Sequence, residues 1–287
     1  MEINQMNEPN LNSGYSEAIK FAENHYENFP VVSFLVPAEL RRHIAIIYWF
    51  ARSADDYADE GKYSVTGRLS NLNNFELRLT ELLKGNYRNS LEYALNSTIS
   101  SKNLTHEEFY KLLNAFKQDV TKSRYSSFDE LLNYCKNSAN PVGRLILELN
   151  NIRDDKAFHF SDKICTALQL TNFWQDSKID FLKGRIYYPT EEMKKYNVTE
   201  KMFELKKNNL NLKELVRYNV ERTRELFEEG RKLIPLLKGR LKYEIKWTIE
   251  GGESILKKIA ENNFNVLQMR PKLNKVDFII LLFKAFI

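Results

Sequence analysis

The chain has 287 residues, of which 43% are hydrophobic, and only ten glycines and seven prolines, so long helices around a sizeable core are favoured over a many-turned β fold. The net charge of +5 is mild, and no basic stripe with interleaved aromatic residues indicates binding to nucleic acid. Two cysteines without metal-ligand spacing indicate free thiols in a reducing cytoplasm.

The N-terminal segment, residues 1–13, is predicted to be disordered, and one helical domain is predicted over residues 14–287. The segment is polar and lacks the apolar run of a signal peptide. A first helix is predicted from Tyr15 to about His25. The stretch NFPVVSFLVP, residues 28–37, is predicted to be a loop that leads into the next helix.

The stretch IAIIYWFARSADDYADE, residues 44–60, changes from apolar to acidic along one predicted helix. Four of its side chains fall on one stripe of that helix, with Asp56 on the flank: Tyr48, Arg52, Asp55 and Asp59. Like charges on a mostly buried helix need a neutralising cation, and carboxylates one turn apart suit magnesium. Acid pairs on solvated helix faces are common, so this stretch alone leaves a plain surface role open.

A helix beginning after Ser127 is predicted to run to Leu149 with a kink at Pro141, because an internal proline removes one backbone hydrogen bond. Small residues surround the kink, among them Ala139 and Gly143. They leave room either for a bulky group or for close packing of another helix.

A second polar stripe is predicted on a helix over residues 162–181. It carries Gln169, Asn172, Asp176 and Asp180. Two such helices facing each other would place four or five carboxylates around one cavity mouth, where magnesium ions could bridge them to a diphosphate. Two independent stripes of the same kind are improbable by chance. Together they favour a magnesium site over a plain role as solvated surface acids.

Further along the chain, the loop GRIYYP (184–189) places Arg185 near the second stripe, where it could bind a diphosphate oxygen or pair with a surface acid. Gly251 and Gly252 in the middle of a predicted helix indicate close approach by another helix or by substrate. The final stretch VDFIILLFKAFI (276–287) is too short to span a bilayer. It is predicted to pack on the core, with a peripheral membrane contact as the alternative.

The acidic stretches read DDxxD (residues 55–59) and NxxxDxxxD (residues 172–180), and together they resemble the squalene/phytoene synthase family over nearly the whole chain. Tyr48 and Arg52 stand where that family has a tyrosine and an arginine before its first motif. The helical pattern predicts an all-α single bundle around a deep apolar cavity, and the resemblance implies the isoprenoid synthase fold.

Several segments resemble, more narrowly, the hydroxysqualene synthase branch of bacterial hopanoid pathways. They are HYENFPVVSFLVP (25–37), ARSADDYADEG (51–61), YCKNSANPVGRL (134–145), GRIYYP (184–189) and GGESILKKIAENNFNVLQMRPKL (251–273). The branch resemblance implies conversion of presqualene diphosphate and water to hydroxysqualene. The alternative is a head-to-head condensing enzyme that makes squalene, presqualene diphosphate or phytoene.

The resemblance also implies residue roles. The predicted magnesium ligands are Asp55, Asp56, Asp59, Asn172, Asp176 and Asp180. The predicted substrate-binding residues are Tyr48, Arg52, Gln169, Asn172, Arg185 and Arg270. Tyr134 matches a family tyrosine in the reaction chamber and joins Asp55, Asp59, Asp176 and Asp180 as a catalytic candidate. Condensing members commonly carry an arginine immediately before the first aspartate of the second motif, where this chain has Gln175.

Two classes of function follow from these observations. One is a cytoplasmic enzyme acting on a prenyl diphosphate, peripheral on the inner face of the membrane if the tail contacts lipid, and coupled to other enzymes of the squalene pathway. The other is a catalytically idle helical protein that binds lipid or a partner. A mere lipid binder has no need of carboxylates at a cavity mouth, so the paired stripes favour the enzyme.

Overall fold

The computed structural model describes residues 9–24, 36–206 and 209–286, and all of the regular structure in these ranges is helical. The predicted all-α class is therefore confirmed. The chain divides into two compact units, one comprising Met1–Thr121 with Leu145–Ile152 and the other Lys122–Arg144 with Arg153–Ile287. The single domain over residues 14–287 stays a prediction.

Among the described residues, the first unit contains five complete helices and the second half of a sixth. They are α1 (Leu11–Asn24), α2 (Ala38–Asp59), α3 (Val65–Leu83), α4 (Ser90–Ser101), α5 (His106–Thr121) and the end of α7 (Asn140–Leu149). Because α1 begins at Leu11, the predicted disorder of residues 11–13 is wrong. His25 and most of the predicted loop at 28–37 lie outside the described residues.

Helix α2 is central to the core of this unit because every fourth side chain along it is buried. Ile46, Phe50, Ala54 and Ala58 are each at most 1% exposed, which is the spacing of one helix face. Phe50 stacks on Phe75 of α3 at 5.2 Å and meets Phe109 of α5 edge-on at 5.2 Å. The apolar face fixes the rotation of α2, so the acidic stripe must lie on another side.

The second unit contains the remaining helices. They are α6 (Phe128–Ser138), the start of α7, α8 (Asp155–Gln175), α9 (Ser177–Leu182), α10 (Thr190–Lys195), α11 (Glu200–Glu204), α12 (Leu210–Gly230), a 3₁₀ helix (Arg231–Leu236), α13 (Gly239–Glu261) and α14 (Lys275–Phe286). The predicted kinked helix over 127–149 is instead two helices, since the chain leaves helical geometry at Ala139.

Two glycines of this unit permit close helix packing. A Cβ on Gly143 would lie 2.4 Å from the Ser161 hydroxyl and 2.5 Å from the Cys165 sulfur, both on α8. A Cβ on Gly252 would lie 2.5 Å from the Phe227 ring of α12. Close packing against a neighbouring helix therefore explains both glycines. The sequence had left open either a neighbouring helix or a bulky group such as substrate, and the structure shows the neighbouring helix.

Helix α14 packs on α13, as predicted for the apolar tail. Leu281 and Ala285 are buried, the Phe278 ring meets Trp247 edge-on at 6.4 Å, and Asp277 pairs with Lys258 at 3.0 Å. None of the described helices is both long and apolar enough to cross a bilayer.

A polar cluster is buried between α1, α2 and α4. The His43 ring nitrogen Nδ1 lies 2.8 Å from the Thr98 hydroxyl, which lies 2.9 Å from the Tyr15 hydroxyl. Burial, together with the positive charges of Arg42 and Lys102, lowers the pKa of His43 from 6.5 to about 4. His43 is therefore neutral in the folded protein at neutral pH.

We predict that His43 makes the folded state sensitive to acid. The folded pKa lies below the unfolded value, so between pH 6.5 and about 4 the unfolded chain binds the additional proton. The free energy of unfolding should therefore fall by about 2–3 kcal/mol as the pH falls through this window. Urea unfolding of the wild type and of His43→Gln at several pH values measures this loss. An equal pH dependence in both proteins would contradict it.

Candidate active site

The acidic stripe of the first unit lies at the C-terminal end of α2 and is neutralised by its own arginine. The Arg52 guanidinium lies 3.3 Å from the Asp55 carboxylate, 2.8 Å from Asp56 and 2.8 Å from Glu60. Asp59 lies one turn beyond Asp55. A cation this close offsets the repulsion between carboxylates one turn apart, so Arg52 serves here as a counter-ion for the acids.

Arg68 of α3 holds the end of the same helix. Its guanidinium donates to the carbonyls of Ala58, Gly61 (3.2 Å) and Tyr63 (3.3 Å). The last carbonyls of a helix lack partners within the helix, so a cation that binds them fixes where the helix ends. Gly61 has a φ of +77°, which allows the chain to turn away immediately after the acidic motif. Arg68 thus positions the aspartates without being one of the predicted residues.

The second acidic stripe spans the junction of α8 and α9. The Asp176 amide donates to the Asn172 carbonyl at 2.8 Å, and the Asp180 amide donates to the Asp176 carbonyl at 2.9 Å. These bonds keep the three polar residues on successive turns, although the predicted continuous helix is broken at Asp176. Gln169 lies partly buried one turn before Asn172.

The break at Asp176 has a local cause in Ser177. The Ser177 hydroxyl lies 3.1 Å from the Phe173 carbonyl and 3.0 Å from the Trp174 carbonyl, and such back-bonding bends helices. The buried Tyr188 hydroxyl lies 2.9 Å from the Ser177 oxygen and supports it. Burial raises the pKa of Tyr188, so this phenol stays neutral and can donate.

Asp176 is bound by the segment between α13 and α14. The Arg270 guanidinium donates to both carboxylate oxygens of Asp176, with its Nη2 2.9 Å from Oδ2. The neighbouring Gln175 side chain donates to the Pro271 carbonyl at 2.6 Å. The predicted substrate-binding Arg270 therefore lies beside the second acidic stripe, although it is 94 residues away in sequence.

The GRIYYP loop lies next to Asp180. The Arg185 amide donates to the Asp180 carbonyl at 2.8 Å, and both residues line the same narrow crevice. Arg124 binds the Gly184 carbonyl at 2.6 Å and forms two 2.8 Å bonds with Glu200. The Arg124 guanidinium also lowers the pKa of the Glu200 carboxyl. The loop that carries Arg185 is thereby attached to Asp180 through one hydrogen bond and to Arg124 through another.

Tyr134 belongs to a cluster of buried aromatic rings beneath the second stripe. Its ring centroid lies 5.6 Å from Tyr125, 6.1 Å from Phe173 and 6.3 Å from Tyr187. Phe173 and Tyr187 stack at 3.7 Å. Phe173 directly follows Asn172 on α8, so the cluster connects the acidic stripe to the apolar interior of the second unit.

The remaining predicted residue, Tyr48, is partly buried on α2, one turn before Arg52, and its ring lies 6.3 Å from Phe21.

The carboxylates and the Asn172 amide supply the oxygen ligands that magnesium prefers, so the donor chemistry fits that ion. Within the described ranges, no group of three or more His, Cys, Asp or Glu side chains gathers as a metal cluster. Arginines hold Asp55, Asp56 and Asp176 instead.

Several residues that organise the site were not predicted from the sequence, among them Glu60, Arg68 and Tyr187. Glu60 lies only one residue beyond the acidic motif, and its charge could have indicated a partner for Arg52. Arg68 and Tyr187 carried no such signal, because their contacts depend on how α3 and the GRIYYP loop fold back.

Comparison with known proteins identifies the family. The squalene/phytoene synthase family model matches residues 22–277. The chain belongs to the squalene/phytoene synthase family. The resemblance drawn from the two acidic motifs is thus confirmed.

Two bacterial members of this family are similar along most of their length. A hydroxysqualene synthase of Sinorhizobium fredii is 30% identical over 251 residues, which cover 87% of this chain and 82% of that protein. A hydroxysqualene synthase of Rhodopseudomonas palustris is 30% identical over 267 residues, covering 90% and 87% of the two chains.

Solved structures of squalene/phytoene synthase family members show the same fold. A squalene synthase HpnC from Alicyclobacillus acidocaldarius superposes with a TM-score of 0.84 at 34% identity, covering 89% of this chain and 96% of that one. A dehydrosqualene synthase superposes with a TM-score of 0.86 at 20% identity, covering 96% of each chain, and supports the fold alone. The predicted isoprenoid synthase fold is confirmed.

Proposed function

We propose that this family member is a hydroxysqualene synthase, which converts presqualene diphosphate and water to hydroxysqualene and diphosphate. The observation that carries the proposal is similarity to bacterial proteins of that name over most of both chains. The site supports it chemically, because each acidic stripe has an arginine within hydrogen-bonding distance. Carboxylates for metal ions beside arginines for phosphate oxygens are the groups that diphosphate departure requires.

Magnesium is the proposed cofactor. The residues that would hold it are Asp55, Asp56, Asp59, Asn172, Asp176 and Asp180. When bound, magnesium supplies positive charge that stabilises a departing diphosphate. Arg270 binds both carboxylate oxygens of Asp176, so a metal ion bound by Asp176 would share these oxygens with Arg270 or displace it.

The chain's own residues have separate tasks in the proposed reaction. The carbon–oxygen bond to diphosphate breaks with its electron pair remaining on the diphosphate oxygen, and Arg52, Arg185 and Arg270 would donate to that group. The resulting carbocation forms a bond to the oxygen of water, and the proton that this oxygen then loses passes to the released diphosphate. Aromatic faces attract cations, and we propose that the cluster containing Tyr134 and Tyr187 lies along the path of the cationic chain.

A second candidate is squalene formation from two farnesyl diphosphates with a hydride donor. It is favoured by one observation, the 34% identity to a solved structure described as a squalene synthase. That candidate consumes a nicotinamide cofactor and needs no presqualene diphosphate to be supplied, so the two reactions are separable by their substrates.

The proposed location is the cytoplasm, with contact between α14 and the inner membrane face bringing the enzyme close to its lipid substrate and to other squalene-pathway enzymes. Three apolar side chains spaced along α14 are exposed: Val276 (63%), Ile280 (50%) and Phe283 (68%). Their spacing places them on one side of the helix, as in helices that lie in a membrane interface.

We expect the acids to be required individually. Replacing Asp55, Asp59, Asp176 or Asp180 by Asn should each lower turnover of presqualene diphosphate about a hundredfold or more, a typical loss for one element of charge stabilisation. Far-ultraviolet circular dichroism should stay unchanged. Asp155→Asn, an exposed acid at the start of α8, is the matched control and should retain activity. Full activity in both Asp55→Asn and Asp176→Asn would refute the metal site.

The product assay separates the two candidate functions. Purified protein with magnesium should convert presqualene diphosphate to hydroxysqualene without NADPH and should leave farnesyl diphosphate largely unconsumed. Each substrate is incubated with and without NADPH, and the lipids are identified by mass spectrometry. Consumption of farnesyl diphosphate alone, or squalene that forms only with NADPH, would assign the condensing function instead.

The membrane contact is tested by removing exposed apolar surface while keeping the fold. The double variant Ile280→Ser/Phe283→Ser should keep the wild-type melting temperature but sediment less with vesicles of anionic lipid. The control, Leu210→Ser, removes a leucine of similar exposure (70%) at the start of α12. Equal sedimentation of the wild type and the double variant would eliminate the contact.

A further inference from the structure

Two adjacent residues of the second acidic motif bind two adjacent residues of the segment between α13 and α14. Gln175 Nε2 donates to the Pro271 carbonyl at 2.6 Å, and the next residue, Asp176, accepts two hydrogen bonds from Arg270. The two bonded pairs are separated by 96 and 94 residues in sequence. This arrangement attaches the segment to the motif at two neighbouring points.

The two attachments differ in burial. Gln175 is 3% exposed and Pro271 is buried, so water competes little for the bond between them. The side chains of Arg270 and Asp176 are 28% and 24% exposed. A buried carbonyl that loses its donor pays the full cost of desolvation, whereas a partly exposed ion pair exchanges its partners readily. The amide bond is therefore the permanent attachment and the ion pair the exchangeable one.

We propose that Gln175 is a positioning residue for Arg270: by fixing the Pro271 carbonyl, it holds the Arg270 guanidinium beside Asp176 and within reach of a diphosphate bound there. The second half of this statement, that Arg270 can reach a bound diphosphate, rests on the proposed function. With Pro271 fixed, Arg270 can leave Asp176 by rotating its side chain while its backbone stays in place. A guanidinium held in advance loses less conformational entropy on binding than one on a free loop.

This role changes the interpretation of Gln175 drawn from the sequence. There, Gln175 marked the absence of the arginine that condensing members commonly carry at this position. In the structure its side chain points away from solvent and binds backbone, so its contribution to diphosphate binding is exerted through Arg270.

Hydrogen–deuterium exchange tests the attachment without any ligand. Gln175→Met has a similar length but no donor, and it should speed exchange of the amides in residues 266–274 about tenfold or more, as expected for loss of a buried hydrogen bond. Gln175→His, which keeps an N–H donor, should restore much of the protection. Should the Met variant not fold, Gln175→Ser leaves room for water at the carbonyl and serves the same comparison. Unchanged exchange in the variant would overturn the proposal.

A double-mutant cycle tests the action through Arg270. Calorimetry should show that Gln175→Met weakens binding of inorganic diphosphate with magnesium about tenfold in the wild-type background, the effect of one charge-assisted hydrogen bond. In an Arg270→Met background the same change should have less than about a twofold effect, since the group it positions is gone. An equal weakening in both backgrounds would show that Gln175 acts independently of Arg270 and would overturn the proposal.

The two experiments also separate this proposal from the proposed function. Wild-type protein that binds no magnesium diphosphate refutes the diphosphate site, and with it the second half of the proposal. The exchange experiment still decides whether Gln175 fixes the segment that carries Arg270.

Discussion

Repulsion between neighbouring carboxylates is the constraint on which the arrangement of this site depends. Asp55, Asp56 and Asp59 lie within little more than one turn of α2, so the helix end needs a positive charge close by. Arg52 supplies it from the preceding turn, and Arg270 supplies it to Asp176 from a distant segment. In each unit, therefore, an arginine lies against the acids and neutralises part of their charge.

The apolar packing explains why these charged side chains keep their positions. The face of α2 that carries Phe50 and Ala54 is buried among rings of α3 and α5, so the helix cannot rotate to relieve the repulsion. Arg68 binds the Ala58 carbonyl near the end of α2 and the Gly61 carbonyl just beyond it. In the second unit, Ser177 and Tyr188 hold the bend after Asp176, while backbone bonds keep Asn172 and Asp180 one turn away on either side. Each acidic stripe is thus supported by neutral packing and capping contacts.

Much of this was predictable because it depends on local spacing. Periodicity placed Arg52 and Asp55 on one stripe, and the two acidic motifs together were specific enough to indicate the family. Contacts between distant segments were not predictable in this way: nothing in the local sequence relates Gln175 to Pro271 or Arg68 to Ala58. The predicted helix through Asn140 failed because Ala139 leaves helical geometry there, giving two helices instead of one with a kink. The deep cavity and the facing of the two stripes remain predictions from the pattern and the family.

The arginine counter-ions also bear on how such a site could release its product. An acidic site without substrate would be unstable if its carboxylates were left unpaired, and in the proposed reaction diphosphate with its metal ions must leave after each turnover. If the guanidinium that binds diphosphate returns to the carboxylate on release, the positive charge near Asp176 stays roughly constant through the cycle. Such an exchange requires a guanidinium that moves on a fixed backbone. A buried amide-to-carbonyl bond beside a partly exposed ion pair provides that combination, which is why the neutral Gln175 matters as much to this half of the site as the charged residue it positions.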